Sequence, residues 1–374
     1  MTHSNKKHPD HDKLSFAFIS NDVYAHSASP FLYAIVKELV KLGHEVCIYT
    51  NKEIDSLSHS VSDNSALSVC SKAVSLKSFS LDESKSIIAK SNHDVIIDAE
   101  GHTNDYWNMK VLNDRLAPYQ MTWAGYPGTT GNSNIDFFIT DKYYCPKTDC
   151  YSIEKPLVLD GCSGARYPIE GADAPEPGPS PFIANGYITF GTLNNSYKVT
   201  PSAIKTWAKI LLECKESRFI FFRNCYASSS IQANLNEEFE SHGISKDRIS
   251  YIDNKKMFKS HLECYQMIDI CLDTFPLTGG VTTIDSLWMG VPVITIEGEN
   301  YHQRITSSAL HHIGISELVS TNEEEMVNTA VRVASDEELC MKYRQELRKH
   351  LLNSDMFNPQ KTAHSLAEKV RNMF

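Results

Sequence analysis

Gly279 and Gly280, followed at once by Thr282, Thr283 and Asp285, form the group of residues in this sequence best suited to hold an anion. Glycines let a backbone approach a ligand closely, and threonine hydroxyls and backbone N–H groups at the start of a helix meet negative charge where the helix dipole favours it. The surrounding stretch, Asp269 to Gly298, reads DICLDTFPLTGGVTTIDSLWMGVPVITIEG. Its apolar run Ile270 to Leu272 is closed by Asp273, and Pro276 interrupts regular pairing, so a buried strand is expected to end there. A helix over roughly Thr283 to Met289 should follow, with Asp285 in its first turn, a stop at Gly290 ahead of Pro292, and Val291 to Ile296 as the next strand. Strand, glycine turn, helix and strand together make a phosphate cradle in an α/β domain. A glycine turn between strand and helix is also common as structure alone, and the short motif does not separate the two readings.

Two histidines stand where other strands should end. Leu14 to Ser20 (LSFAFIS) reads as the first strand, Asn21 to Pro30 as a polar turn that carries His26, and FLYAIVKELVKLG as a helix stopping at Gly43. Glu45 to Thr50 (EVCIYT) is the next strand. This is the opening of a doubly wound domain, whose ligands gather at the carboxyl ends of strands, so His26 is a candidate acid or base and equally a candidate cap for the helix after it. The run His93 to Thr103 gives a buried strand ending in titratable and small polar residues, Asp98, Glu100 and His102 among them, as a catalytic or binding loop would. A further strand (YQMTWA) runs into a loop holding Gly125, Pro127, Gly128 and Gly131, a backbone able to wrap round a ligand, and Ile135 to Asp141 is the last clear strand of this half.

Composition sets the frame for these elements. At 374 residues the chain is long enough for two domains, each with its own core. A hydrophobic share of 41% and a charged share of 22% are those of a globular protein, and a net charge of -10 argues against a nucleic-acid partner held through phosphate contacts. No run of about eighteen apolar residues is present and the N-terminus lacks an apolar signal core, so no membrane span and a cytoplasmic location are expected. The ten cysteines fall singly, with Cys47, Cys225 and Cys271 in or beside strand-like runs, which suits reduced core thiols, and no metal site is legible. His3, His8 and His11 lie in a polar stretch, residues 1–13, that reads as a disordered tail. The expected N-terminal domain is 14–170. Residues 171–186, rich in Pro, Gly and Ala, read as the linker, 187–355 as the second domain, and 356–374 as a C-terminal helix. The second domain opens with YITFGT, the polar turn Leu193 to Lys198, and a helix with Pro201 at its first position.

Several longer strings carry a family likeness. Asp269 to Pro276, Trp288 to Val293, Gly101 to Thr103, Trp123 to Gly131 and Lys198 to Pro201 resemble the catalytic region of the O-GlcNAc transferase and SPINDLY family of glycosyltransferases, in the right order and at compatible spacing from about Leu14 to the C-terminus. The resemblance implies a GT-B fold, two Rossmann-like α/β domains facing each other across a cleft, with the nucleotide sugar held mainly by the C-terminal one. It implies an enzyme that transfers a sugar with inversion and without a metal or other cofactor, the nucleotide sugar being a co-substrate. The first expectation is a UDP-linked hexose, N-acetylglucosamine or fucose donor, with a GDP-sugar next, and a protein Ser or Thr hydroxyl as acceptor.

Carried over residue by residue, the likeness makes Lys198 the cation that neutralises the leaving diphosphate and puts Asn195 where a relative holds the nucleotide with glutamine. It makes His261 a residue packed by the base, Thr282 a phosphate ligand, Asp285 a ribose acceptor, and His26 a residue of the sugar and acceptor side, with His102 able to share that role. Two departures matter. Gly280 and Val281 stand where the animal transferase has histidine and threonine, so the donor's identity does not carry over. The helical repeat array of the eukaryotic relatives is not visible as a period, which leaves the acceptor open, with asparagine or a glycan after Ser or Thr. A nucleotide-sugar epimerase of the same fold and a degenerate binding scaffold are the other classes; released epimer, transferred sugar, or bound and unreacted donor tells them apart.

Overall fold

The computed structural model describes residues 13–23, 26–54, 65–147, 152–169, 175–253, 258 and 260–374. They divide into two compact units, one running up to Tyr167 and taking in Asp355–Phe374, the other Pro168–Ser354. The stretch expected as a disordered tail, 1–13, lies outside the described residues except for Lys13.

The first unit is built on seven parallel strands: β1 (Ser15–Ile19), β2 (Glu45–Thr50), β3 (Lys72–Ser75), β4 (Val95–Asp98), β5 (Tyr119–Thr122), β6 (Phe137–Asp141) and β7 (Lys155–Leu159), in the order β3-β2-β1-β4-β5-β6-β7. Alternate side chains serve both faces. Phe16 and Phe18 of β1 join one core with Val46, Ile48, Val95 and Ile97, while Ala17 and Ile19 join another with Cys47, Tyr49 and Ile96. Burial on both faces is what a parallel sheet flanked by helices requires. The strand β7 follows the last one expected from the sequence. It is a partly exposed edge strand containing Pro156, which donates no ladder hydrogen bond, and that weakens its signature.

The second unit repeats the plan with six parallel strands: β8 (Thr189–Thr192), β9 (Arg218–Phe222), β10 (Ile249–Ile252), β11 (Ile270–Leu272), β12 (Val293–Ile296) and β13 (Val319–Ser320), in the order β10-β9-β8-β11-β12-β13. The helix Pro201–Glu213 starts as expected, Pro201 at its first turn and Thr200 Oγ1 accepting from Ala203 N–H at 3.2 Å. In both units the strand order reverses beside one strand, β1 in the first and β8 in the second, and open α/β sheets bind ligands at such points.

Two boundaries differ from expectation. The C-terminal helix Pro359–Arg371 is part of the first unit: Ala363, Leu366, Ala367 and Val370 enter the core of β1, and Tyr119 Oη donates to Met373 O at 2.7 Å. The described part of the stretch expected as a linker belongs to the second unit. There Ser180 Oγ and Phe182 N–H donate to the buried Asp269, and Arg348 reaches Pro175 O at 2.6 Å. Proline-rich composition forbids helix and central strand, but it does not forbid docking of an extended segment.

Candidate functional site

At the reversal point of the second unit the turns leaving β8 and β11 meet on one buried carboxylate. Asp273 is 2% exposed, and its Oδ1 accepts from Thr274 N–H (2.9 Å), Gly279 N–H (2.8 Å) and Asn194 Nδ2 (3.0 Å), while Thr295 Oγ1 donates to Oδ2 at 2.8 Å. Burial pushes its pKa up, against which the Thr306 and Thr295 hydroxyls, Gly279 N–H and Lys198 all act. This carboxylate folds the glycine turn around itself. A Cβ on Gly279 would lie 2.5 Å from Thr283 Oγ1 and 3.2 Å from Asp273 Oδ1, so the glycine is demanded by the turn's own packing. Gly279 N–H is therefore spent on Asp273. The Thr283 hydroxyl is likewise turned inward, 2.8 Å from that of Thr306, with the residue 3% exposed. Neither offers that group to an anion.

What remains is the helix start itself. The helix runs over Val281–Trp288 with Gly280 at its cap, two residues earlier than expected, because the flexible glycine begins it ahead of the threonines. Among the described residues the N–H groups of Gly280, Val281 and Thr282 have no acceptor, and they stand at the positive end of the helix. Thr282 Oγ1 donates to Asn194 Oδ1 at 2.8 Å. Asn194, through this bond, its contact with Asp273 and the bond from Tyr226 Oη to its carbonyl (2.8 Å), is the asparagine wired into the site. Asn195, the one singled out in the sequence, is half-buried and precedes the short turn Ser196–Lys198 with its backbone extended. A small cavity beneath the helix start is lined by Asn194, Tyr265, Asp273, Thr282, Thr283 and Ser286.

Lys198 closes that short turn, and its Nζ donates to Thr278 O at 2.7 Å, next to the glycines. Burial lowers its pKa; Asp273 opposes the shift and Arg223 adds to it. A partly dehydrated ammonium with donors to spare is suited to an incoming anion. Asp285 sits in the second turn of the helix, one turn deeper than expected, with its Oδ2 3.0 Å from Nε2 of the half-exposed His261. His261 opens the 3-10 turn His261–Met267, whose first N–H groups are capped by Ser260.

In the first unit, His26 and His102 lie beyond the carboxyl ends of β1 and β4, neighbours at the reversal point. His26 is exposed; its Nδ1 lies 3.2 Å from Asp22 Oδ2 and 3.2 Å from Ala28 N, which donates to it. The helix Ser29–Lys41 has Ala28 at its cap position with no side-chain cap. His102 is half-buried between the rings of Tyr126 and Tyr106, and its Nε2 lies 2.7 Å from Thr130 O. A carbonyl accepts only, so Nε2 carries the proton and Nδ1 holds the free lone pair when the ring is neutral. Asn194, Arg223 and Asp22 were not among the sequence candidates; each lies within two residues of the end of a strand-like run, which is the signal that could have found them.

Comparison with known proteins bears on this arrangement. Residues 1–156 and 182–366 match the family model described as Glycosyl transferase family 41. A protein of Arabidopsis thaliana named as probable UDP-N-acetylglucosamine–peptide N-acetylglucosaminyltransferase SPINDLY is 31% identical over 378 residues, covering 99% of this chain and 40% of the relative, so the chain spans well under half of that protein's length. Among solved structures, an O-GlcNAc transferase of Thermobaculum terrenum in mutant form superposes with a TM-score of 0.86 at 26% identity, covering 97% of this chain and 68% of that one. The sucrose-phosphate synthase of Thermosynechococcus elongatus, at 14% identity and a TM-score of 0.56 over 96% and 99% of the two chains, shares the fold alone. Two parallel-sheet α/β units with these neighbours make the fold GT-B, and among the described residues no helix is long and apolar enough to cross a membrane. With the family model covering nearly all of both units, the chain belongs to glycosyl transferase family 41.

Proposed function

We propose that this chain carries an inverting, metal-independent glycosyltransferase activity that moves a sugar from a nucleotide sugar, UDP-linked in the first instance, to a Ser or Thr hydroxyl of a protein. The observation that carries the reading is the pairing of the helix-start N–H groups of Gly280 to Thr282 with the Lys198 ammonium at the reversal point of one sheet. A glycosyl donor reacts when the acceptor oxygen forms a bond to the anomeric carbon as the bond to the diphosphate oxygen breaks. The electron pair leaves on the diphosphate, and a fixed cation with aligned N–H groups lowers the cost of that charge. A single displacement of this kind inverts the anomeric carbon. UDP-N-acetylglucosamine and a peptide acceptor appear in the relative's name, which supports the donor and acceptor classes. Incubating the protein with labelled UDP- and GDP-sugars and a protein extract tests the reading. Label transferred to protein with release of nucleoside diphosphate supports it; free epimer, or donor bound and unreacted, overturns it.

Asp285 and His261 would hold the nucleoside part. Asp285→Asn keeps an oxygen for His261 but loses the charge, so donor affinity measured by calorimetry is expected to fall at least about tenfold while folding stability changes by less than about 1 kcal/mol. Loss of stability at unchanged affinity would reduce Asp285 to a residue that holds His261.

On the acceptor side, His26 would take the hydroxyl proton or orient the acceptor. Asparagine keeps an acceptor for Ala28 N–H but supplies no base. If His26 acts on substrate, His26→Asn and His26→Ala should both lower turnover on the order of a hundredfold with donor binding nearly intact. Full turnover in His26→Asn would confine His26 to supporting the helix start and move the role to Nδ1 of His102.

A further inference from the structure

The loop that carries His26 is tied to a buried carboxyl group that the reading above does not use. Glu100, two residues past the end of β4, has no exposed surface. Its Oε1 accepts from Asn21 N–H, and Ser20 Oγ stands 3.4 Å away as a second donor. The same Ser20 Oγ accepts from Asp22 N–H at 3.0 Å, so one hydroxyl links the Glu100 carboxyl to the residue whose own carboxylate faces His26 Nδ1 at 3.2 Å. Asn104, held at a φ of 58°, donates to the other oxygen of Asp22 at 3.4 Å. The last strap comes from the loop after β5: a Cβ on Gly125 would collide with Ala99 O and Glu100 Cα, so the loops at 99–101 and 124–126 are pressed together by necessity.

This is more fastening than a turn after a strand needs, and its centre is incomplete. Glu100 Oε2 is buried with no hydrogen-bond partner among the described residues. A lone buried oxygen of a carboxyl group costs folding free energy unless it serves something else. We propose that Glu100 is a positioning residue: its carboxyl anchors the turn from Ser20 to Asp22 and, through Asp22, sets the orientation of the His26 imidazole. The orientation of His26 matters for transfer only if the reading of His26 as an acceptor-side group holds.

The chemistry of the carboxyl supplies a probe. Burial raises the Glu100 pKa to about 7, and the negative charges of Asp22 and Asp98 act in the same sense, while Asn21 N–H and the Asn104 amide oppose it. These are the groups facing it from β1, from its own strand and from the following loop; the loop after β5 presents backbone. The Asn21 amide resonance should therefore show an inflection near pH 7 in the wild-type protein, and E100Q should remove it while keeping an oxygen for that N–H. The His26 ring resonances should move in E100A, where the turn loses its anchor, and stay near their wild-type positions in E100Q, which keeps an oxygen for Asn21 N–H. Turnover should fall on the order of tenfold in E100A at unchanged donor KM, and E100Q should recover most of it. If E100A does not fold, E100Q still decides. His26 ring resonances that do not respond in E100A overturn the proposal, as does an Asn21 amide whose inflection is absent from wild type or survives in E100Q. The resonance changes found in a protein that turns over no nucleotide sugar would overturn the functional reading and leave Glu100 as the anchor of His26.

Discussion

Lys198→Ala is expected to lower sugar transfer at least on the order of a hundredfold, equivalent to about 3 kcal/mol of transition-state stabilisation, while leaving the protein as stable as wild type or slightly more so. Both halves of this expectation come from where the ammonium sits. It is held by one short bond to Thr278 O, and burial disfavours its charged form in spite of Asp273 nearby. A cation kept partly dehydrated costs folding free energy and interacts strongly with an anion that arrives in the same dry space. Removing it relieves the first and forfeits the second. The sign follows for pH as well: because the folded-state pKa is depressed, the destabilising influence of Lys198 is full below that folded value, fades as pH rises from it towards the unfolded value, and is gone above the latter. Thermal unfolding of Lys198→Ala at neutral pH should therefore match or exceed wild type. Transfer within about threefold of the wild-type rate would remove Lys198 from the reaction.

Asp273→Ala is expected to cost on the order of 3 kcal/mol of folding stability and to abolish donor binding. The carboxylate is the common acceptor for donors from Asn194, Thr274, Gly279 and Thr295, and alanine leaves those four without it inside a buried turn. The donors that lose their partner define the site: Asn194 positions Thr282, and Gly279 sets the direction in which the free N–H groups of the helix start point. Asp273→Asn should be milder. Its carbonyl oxygen can take the place of Oδ1, and its amide can face Thr295, whose hydroxyl can turn to accept. Denaturant unfolding of both variants, with donor titration of the milder one, checks the expectation. Equal losses in the two would show that charge, and not the count of acceptors, is what the turn requires.

By itself the sequence determined the alternation of buried strands and helices, because period-2 and period-3.6 spacing of apolar residues decides which faces are covered before any tertiary contact forms. It also put its candidate groups at strand ends: His26, His102, Lys198 and the Gly279 to Asp285 stretch all stand at the reversal points of the two sheets. Only the tertiary structure decided which of those groups have capacity left. Gly279 N–H and the Thr283 hydroxyl, which look ligand-ready in the string, are spent on Asp273 and Thr306, and Asp285 lies one turn deeper than a start at the threonines would put it. The same holds for chain segments, since the final helix docks on the first unit through a short apolar stripe that could have served either core. The physical reason is distance along the chain. Lys198 meets Thr278 across 80 residues and Glu100 meets Asn21 across 79, and a local pattern reports that a polar group is buried without reporting what it is buried against.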